Sequence, residues 1–257
     1  VNPDIRPMSV PEILDTGVKL TLNRPVLIFG AFSAIYFPVA AALNILIFMM
    51  TPNPETTAPE EALRAMGQVF PVIIGSGILS FIVYALAEAA VIIASAKTYL
   101  NQETSVGESV SSALGFVVPL LLTTILKSLI IGIGFLLFII PGIYFMFRYA
   151  LTSQAVVLEG VSGGAALRRS KEIMSHNGHI LQIFVLAIIL IVASFFFGMI
   201  GIIFGQGILG VLVQTLITTL LTAVAAAIVT VFYFSSRCRA EGYDLQLLAA
   251  SFDDNRN

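Results

Sequence analysis

The chain has 257 residues, 58% of them apolar and 11% charged, with a mean hydropathy of +0.97. A water-soluble domain needs roughly a quarter of its residues charged to cover its surface, so this composition excludes a soluble globule and indicates an integral membrane protein. The formal charge of −2 carries no signature of a nucleic-acid partner, and the one cysteine, Cys238, excludes an internal disulfide.

Residues 1–24 form a cytoplasmic segment containing an interfacial amphipathic helix. Ser9-Val10-Pro11-Glu12 fits the S-x-x-E capping box, in which hydroxyl and carboxylate satisfy free amides of the first helical turn. Ile13, Leu14, Val18 and Leu22 then recur at helical spacing opposite Glu12, Asp15 and Lys19, a stripe suited to the headgroup layer. The first apolar run, Pro25 to Met50, is too long for a signal-peptide core and has no A-x-A pattern after it, so a retained span is expected. The following loop, Thr51 to Gln68, carries Glu55, Glu60 and Glu61 and is the sizeable external feature.

Further runs long enough to cross about 30 Å of hydrocarbon are Phe70 to Ser95, Ala113 to Ile140, His179 to Gly205 and Gly207 to Ser236. A shorter one, Gly142 to Leu158, follows a Pro141-Gly142 breaker, holds Arg148 in its middle and is followed by Glu159. A second capping box, Ser105-Val106-Gly107-Glu108, precedes the third run. A third amphipathic segment, Gly163 to Met174, precedes the fifth run without a box. The expected fold is therefore all-α: a six-helix membrane bundle over residues 25–236, in three hairpins each led by an interfacial helix, with residues 237–257 as a cytoplasmic tail. Of the 13 Lys and Arg residues this places ten inside, Arg64 outside, and Lys127 and Arg148 within the membrane, which agrees with the positive-inside rule.

Three ionisable residues lie inside apolar runs: Glu88, Lys127 and Arg148. Each costs several kcal/mol there even on lenient insertion scales, so partners are expected. Glu88 stands nine residues above Lys97 and Arg148 eleven above Glu159, about 14 to 17 Å deep, so a Glu88–Arg148 pair, or a triad with Lys127, is the expected arrangement. Two roles fit: a latch that fixes helix register, or a polar site on a substrate or proton path.

Arg168, Arg169 and Lys171, with Arg237 and Arg239 in the tail, are expected to face anionic headgroups, worth about 1 kcal/mol per charge near the surface, or to act only as a topology signal. His176 and His179 lack a nearby carboxylate or thiol and make a poor metal site. Gly201 to Gly205 and Ala223 to Ala227 have the four-residue spacing of close helix packing, within the bundle or at a homodimer face. Gly75-Ser76-Gly77 is not a nucleophile elbow, and Ser76 is expected to be a packing residue. Phosphate loops, H-E-x-x-H and G-x-G-x-x-G are absent. No catalytic residue, metal or cofactor is expected.

Five motifs belong together: Ser9-Val10-Pro11-Glu12-Ile13-Leu14-Asp15, Pro141-Gly142-Ile143-Tyr144, Val156-Val157-Leu158-Glu159-Gly160, Ala165-Ala166-Leu167-Arg168-Arg169-Ser170, and Arg237-Cys238-Arg239-Ala240-Glu241-Gly242-Tyr243-Asp244. In these the chain resembles the membrane domain of some bacterial glycerophosphoryl diester phosphodiesterases, which also exists as stand-alone multi-pass proteins. The resemblance implies a helical protein of the bacterial cytoplasmic membrane. It implies no hydrolysis, because catalysis in the fused relatives belongs to a separate soluble barrel domain. The function expected is a non-enzymatic scaffold or accessory subunit that binds lipids, other membrane subunits or a second copy. The alternative is a small transporter for an amphipathic solute, with Glu88, Lys127 and Arg148 around a midplane site.

Overall fold

The computed structural model describes residues 6–51, 59–176, 178–205 and 207–242, and among these there are helices and no strand. In chain order they are α1 (Val10–Asn23), α2 (Pro25–Met50), α3 (Pro59–Tyr99), α4 (Val106–Ala113), a 3-10 turn (Leu114–Phe116) and α5 (Val117–Leu137). They continue with α6 (Ile139–Arg148), α7 (Thr152–Glu159), α8 (Gly163–Ile173), α9 (His179–Ile203) and α10 (Ile208–Glu241). Five described stretches, Pro25–Met50, Leu63–Tyr99, Val106–Leu137, His179–Ile200 and Ile208–Glu241, are long and apolar enough to cross a membrane. Glu55, Asn177, Tyr243, Asp244 and Arg256 lie outside the described residues.

The short helices start as their capping chemistry dictates. Glu12 accepts from the Ser9 backbone N–H at 2.7 Å, and its carboxyl is pulled down to about 2 by hydrogen bonds from the Ser9 hydroxyl and amide and from Arg6. The Ser105 hydroxyl accepts from the Glu108 N–H at 3.2 Å while Glu108 accepts from the Ser105 N–H at 3.1 Å. Ser162 caps α8 in the same extended conformation with no side-chain bond. The fourth and eighth residues after each of these serines are buried: Ile13 and Gly17, Ser109 and Ala113, Ala166 and Ser170. Each short helix thus turns one stripe inward. α1 lies on α10, α4 on α3, and α8 on α7 and α5.

That collar explains why α3 and α10 outrun their apolar cores. At 1.5 Å per residue the 41 residues of α3 reach about 61 Å and the 34 of α10 about 51 Å, against about 30 Å of hydrocarbon. Every residue of Val91–Ala96, Thr152–Val157 and Val231–Ser236 is buried, a state a helix reaches only when neighbours enclose it. The expected boundary at residue 237 therefore falls inside α10, because the charges beyond it are satisfied by protein groups. α1 and α10 come into tight contact at Gly17, where a Cβ would stand 2.8 Å from the Ile228 backbone. The two ends of the described chain meet there: the Met8 N–H donates to Ser235 at 2.8 Å, and Arg239 donates to the Met8 carbonyl at 2.6 Å.

The segment after α5 departs from expectation. The break falls at Phe138, which is extended (φ −161°, ψ 155°), rather than at Pro141-Gly142. Pro141 is the third residue of α6, where its missing N–H is one the helix could not have paired internally. Gly142 is needed for close approach of the two limbs: a Cβ there would stand 2.4 Å from the Phe135 ring. The expected run Gly142 to Leu158 is two helices, α6 and α7, parted by a turn at residues 149–151. Ser170 of α8 patches that turn. Its hydroxyl accepts from the Leu151 N–H at 3.2 Å and donates to the Arg148 carbonyl at 3.1 Å, fully buried.

Replacing Ser170 by Ala leaves a buried donor and a buried acceptor unpaired. The expected cost is about 1 to 3 kcal/mol, read as a lower unfolding temperature in detergent. An unchanged temperature would show that the patch contributes nothing.

Candidate functional site

Glu88, Lys127 and Arg148 do not form one cluster. Glu88 is half-buried on α3, with the Ser153 hydroxyl of α7 and the Lys127 ammonium of α5 in its neighbourhood. Tyr84 stands one turn away on α3 and meets the Tyr36 ring of α2 edge-on at 5.8 Å. Arg148 instead donates to the Ser175 hydroxyl at 2.9 Å and lies over the Tyr144 ring, 5.6 Å from its centroid. The reason is the turn at 149–151: it places Ser153 toward α3 and leaves Arg148 on the last turn of α6, beside the end of α8. Beside Lys127 is a cavity of about 360 Å³, walled by α5, α6, α9 and Val229 of α10.

The strongest polar network lies at the collar. Arg169 grips Glu159 with two nitrogens, at 2.6 and 2.9 Å, and also donates to Glu241. Arg237 donates to Glu241 at 3.1 Å and stands 3.6 Å from Glu159, which also accepts from the Tyr233 hydroxyl. Burial pushes the Glu159 carboxyl up, but hydrogen bonds from Arg169 and Tyr233 and the charges of Arg169 and Arg237 outweigh it, holding it below its ordinary value. Arg169 is held above its ordinary value by its bonds to Glu241 and Glu159, against its own burial.

This corrects the expectation for the basic residues. Arg169 and Arg237, each about one-fifth exposed, face carboxylates of the protein rather than headgroups. Arg168 and Lys171 are exposed, Arg168 lying 3.6 Å from Glu172. Arg239 is exposed but bonded to the Met8 carbonyl. Sequence reading missed Glu241 and Tyr233 as partners, although Arg237 and Glu241 carry an i, i+4 signal.

His179 is fully buried and donates from Nδ1 to the Ile173 carbonyl at 2.8 Å; its ring lies 5.9 Å from that of His176. Among the described residues no group of three His, Cys, Asp or Glu side chains could hold a metal. Ala223 and Ala227 are fully buried within the chain, so that stripe packs inside the bundle. Gly205 lies in the turn after α9 with φ +79°. Ser76 donates to the Ile73 carbonyl of its own helix. A wide groove of about 930 Å³ runs between α2, α9 and α10, lined by Phe48, Phe195, Gly198 and Gln214, with Asn44 donating to Thr215 at 3.1 Å.

No family model matches this chain, and neither a curated protein nor a solved structure matches it.

A carboxylate depressed by its partners stabilises the fold fully above its unfolded value, about 4.3, and the gain is lost as pH falls through the folded value. Replacing Glu159 by Gln should cost about 2 kcal/mol at neutral pH and flatten the acid dependence of the unfolding temperature. Equal acid dependence in variant and wild type would refute the network's role.

Proposed function

We propose that this is a non-enzymatic, multi-pass protein of the bacterial cytoplasmic membrane, a scaffold or accessory subunit binding lipids and other membrane subunits. In this reading six membrane-embedded segments, α2, α3, α5, α6–α7, α9 and α10, form three hairpins. Each hairpin is led by an interfacial helix, α1, α4 or α8, and both termini are cytoplasmic. The ten-to-one distribution of Lys and Arg supports that orientation. The likeness to the phosphodiesterase membrane domain supports the location.

The observation that carries the reading is where polar and apolar groups face. Glu88 lies near Lys127 and Ser153 of neighbouring helices. The outward face of α9 is bare: Ile191, Phe195 and Phe196 are 67, 67 and 63% exposed. Such a face offers lipid or a partner helix a packing surface and offers a polar solute nothing. Exposed Arg168 and Lys171 on α8 suit anionic headgroups at the same boundary.

One observation favours the transporter alternative: the cavity beside Lys127, opening among α5, α6, α9 and α10, is large enough for a small amphipathic molecule. Purification in mild detergent separates the two. The scaffold reading expects a stoichiometric subunit or tightly held lipid, lost several-fold when Phe195 and Phe196 are both changed to Ala, with unfolding temperature kept. It expects Glu88→Gln to lower the unfolding temperature. A lone protein that moves an amphipathic solute across liposomes, and stops when a still-folded Glu88→Gln variant is used, would overturn it.

A further inference from the structure

The heights of the helices can be compared along their shared contacts. Phe147 of α6 meets Phe184 of α9 edge-on, ring centroids 5.5 Å apart, so these residues stand at one level. From there α6 extends eight residues to Ile139, about 12 Å, whereas α9 extends nineteen residues to Ile203, about 28 Å. The other limb agrees. Lys127 shares a cavity with Ile183 and Val229; α5 then runs ten residues to Leu137, about 15 Å, while α9 runs twenty from Ile183 and α10 twenty-one between Val229 and Ile208, each about 30 Å. A tilt of about 20° shortens a helix by less than a tenth, so tilt does not close the gap. The low start of α5 has a cause: Thr123, one turn before Lys127, accepts the first N–H of α8 at 2.7 Å, anchoring the lower half of α5 at the collar.

The tip itself is built for oil. From Leu129 to Phe147 the side chains offer one polar atom, the Tyr144 hydroxyl. Leu136, Phe138 and Ile140 are 86, 74 and 81% exposed. Backbone demand at the turn is held down: the Phe138 N–H donates to the Gly134 carbonyl at 3.0 Å, the Phe138 carbonyl accepts from the Gly142 N–H at 3.3 Å, and Pro141 has no N–H to satisfy.

We infer that α5 and α6 form a re-entrant hairpin, which enters from the side of both termini, turns at Phe138 near the middle of the hydrocarbon, and is capped by lipid acyl chains of the opposite leaflet. Only α2, α3, α9 and α10 then cross. Parity is unchanged, because a hairpin that returns leaves the termini on the same side as two crossings would. The notch above the tip, between the bare upper faces of α3 and α9, is a lipid site. The irregular backbone at that depth is held to one extended residue, Phe138, whose own N–H and carbonyl are both bonded within the hairpin.

The inference rests on the chain being membrane-embedded, so the test carries a control for that. In the full chain with Cys238 changed to Ser, a bimane fluorophore is attached at Leu136→Cys, at Ile140→Cys and, as reference, at Phe204→Cys in the α9–α10 turn. Each is reconstituted into phosphatidylcholine vesicles carrying a nitroxide either on the headgroup or deep in the acyl chain. At Leu136 and Ile140 acyl-chain quenching should exceed headgroup quenching several-fold, with the order reversed at Phe204. Headgroup-dominated quenching at both tip positions, equal to that at Phe204, would overturn the re-entrant hairpin and leave the membrane reading intact. No quenching by either lipid at any position would overturn both.

Discussion

Hydrocarbon supplies no hydrogen bonds, so each charge and each irregular stretch of backbone placed in it must find its partner within the chain. The rest of the structure follows from meeting that demand. Glu88 lies near Lys127 and Ser153 of two other helices, and the interrupted backbone between α6 and α7 is answered by one hydroxyl of α8. At Glu159, Arg169, Arg237 and Glu241 the chain adds the α8 collar helix and uses opposite charges as mutual partners. The outward face of α9, at Ile191, Phe195 and Phe196, is aliphatic and aromatic.

Those facts link the collar to the membrane segments mechanically. α1 docks on the end of α10 through the Gly17 contact, and Ser170 couples α8 to the α6–α7 turn. A disturbance of a short helix is therefore transmitted into a long one. The same coupling fits the scaffold role proposed above, in which a protein-internal network holds the outward faces in one arrangement.

Much of this was legible in the residues. α2 begins and ends where its apolar run does, and both serine boxes cap the helices they announce. The partners of Arg148, Arg169 and Arg237 were not legible, for a physical reason. Spacing within one helix marks which face is buried but does not say which residue of another helix a charge turns to, and Ser175 and Glu159 reach these arginines from elsewhere in the chain. Run length misleads in the same way. Ala113 to Ile140 is long enough to cross, yet its first half is spent at the collar, where Thr123 is tied to α8. Likewise the end of α10 carries charges that read as a boundary, because two of their partners, Glu159 and Arg169, are distant in sequence.

The account stands on the long apolar helices having lipid as their solvent, with the collar on one face of the bilayer. Cysteines placed at the exposed positions Asp15 in α1, Lys171 in α8 and Arg64 near the start of α3, in chains lacking Cys238, measure this directly in sealed vesicles of known orientation. A membrane-impermeant maleimide should label Asp15 and Lys171 from one side and Arg64 from the other. Labelling of Arg64 from the same side as Asp15 would contradict the account.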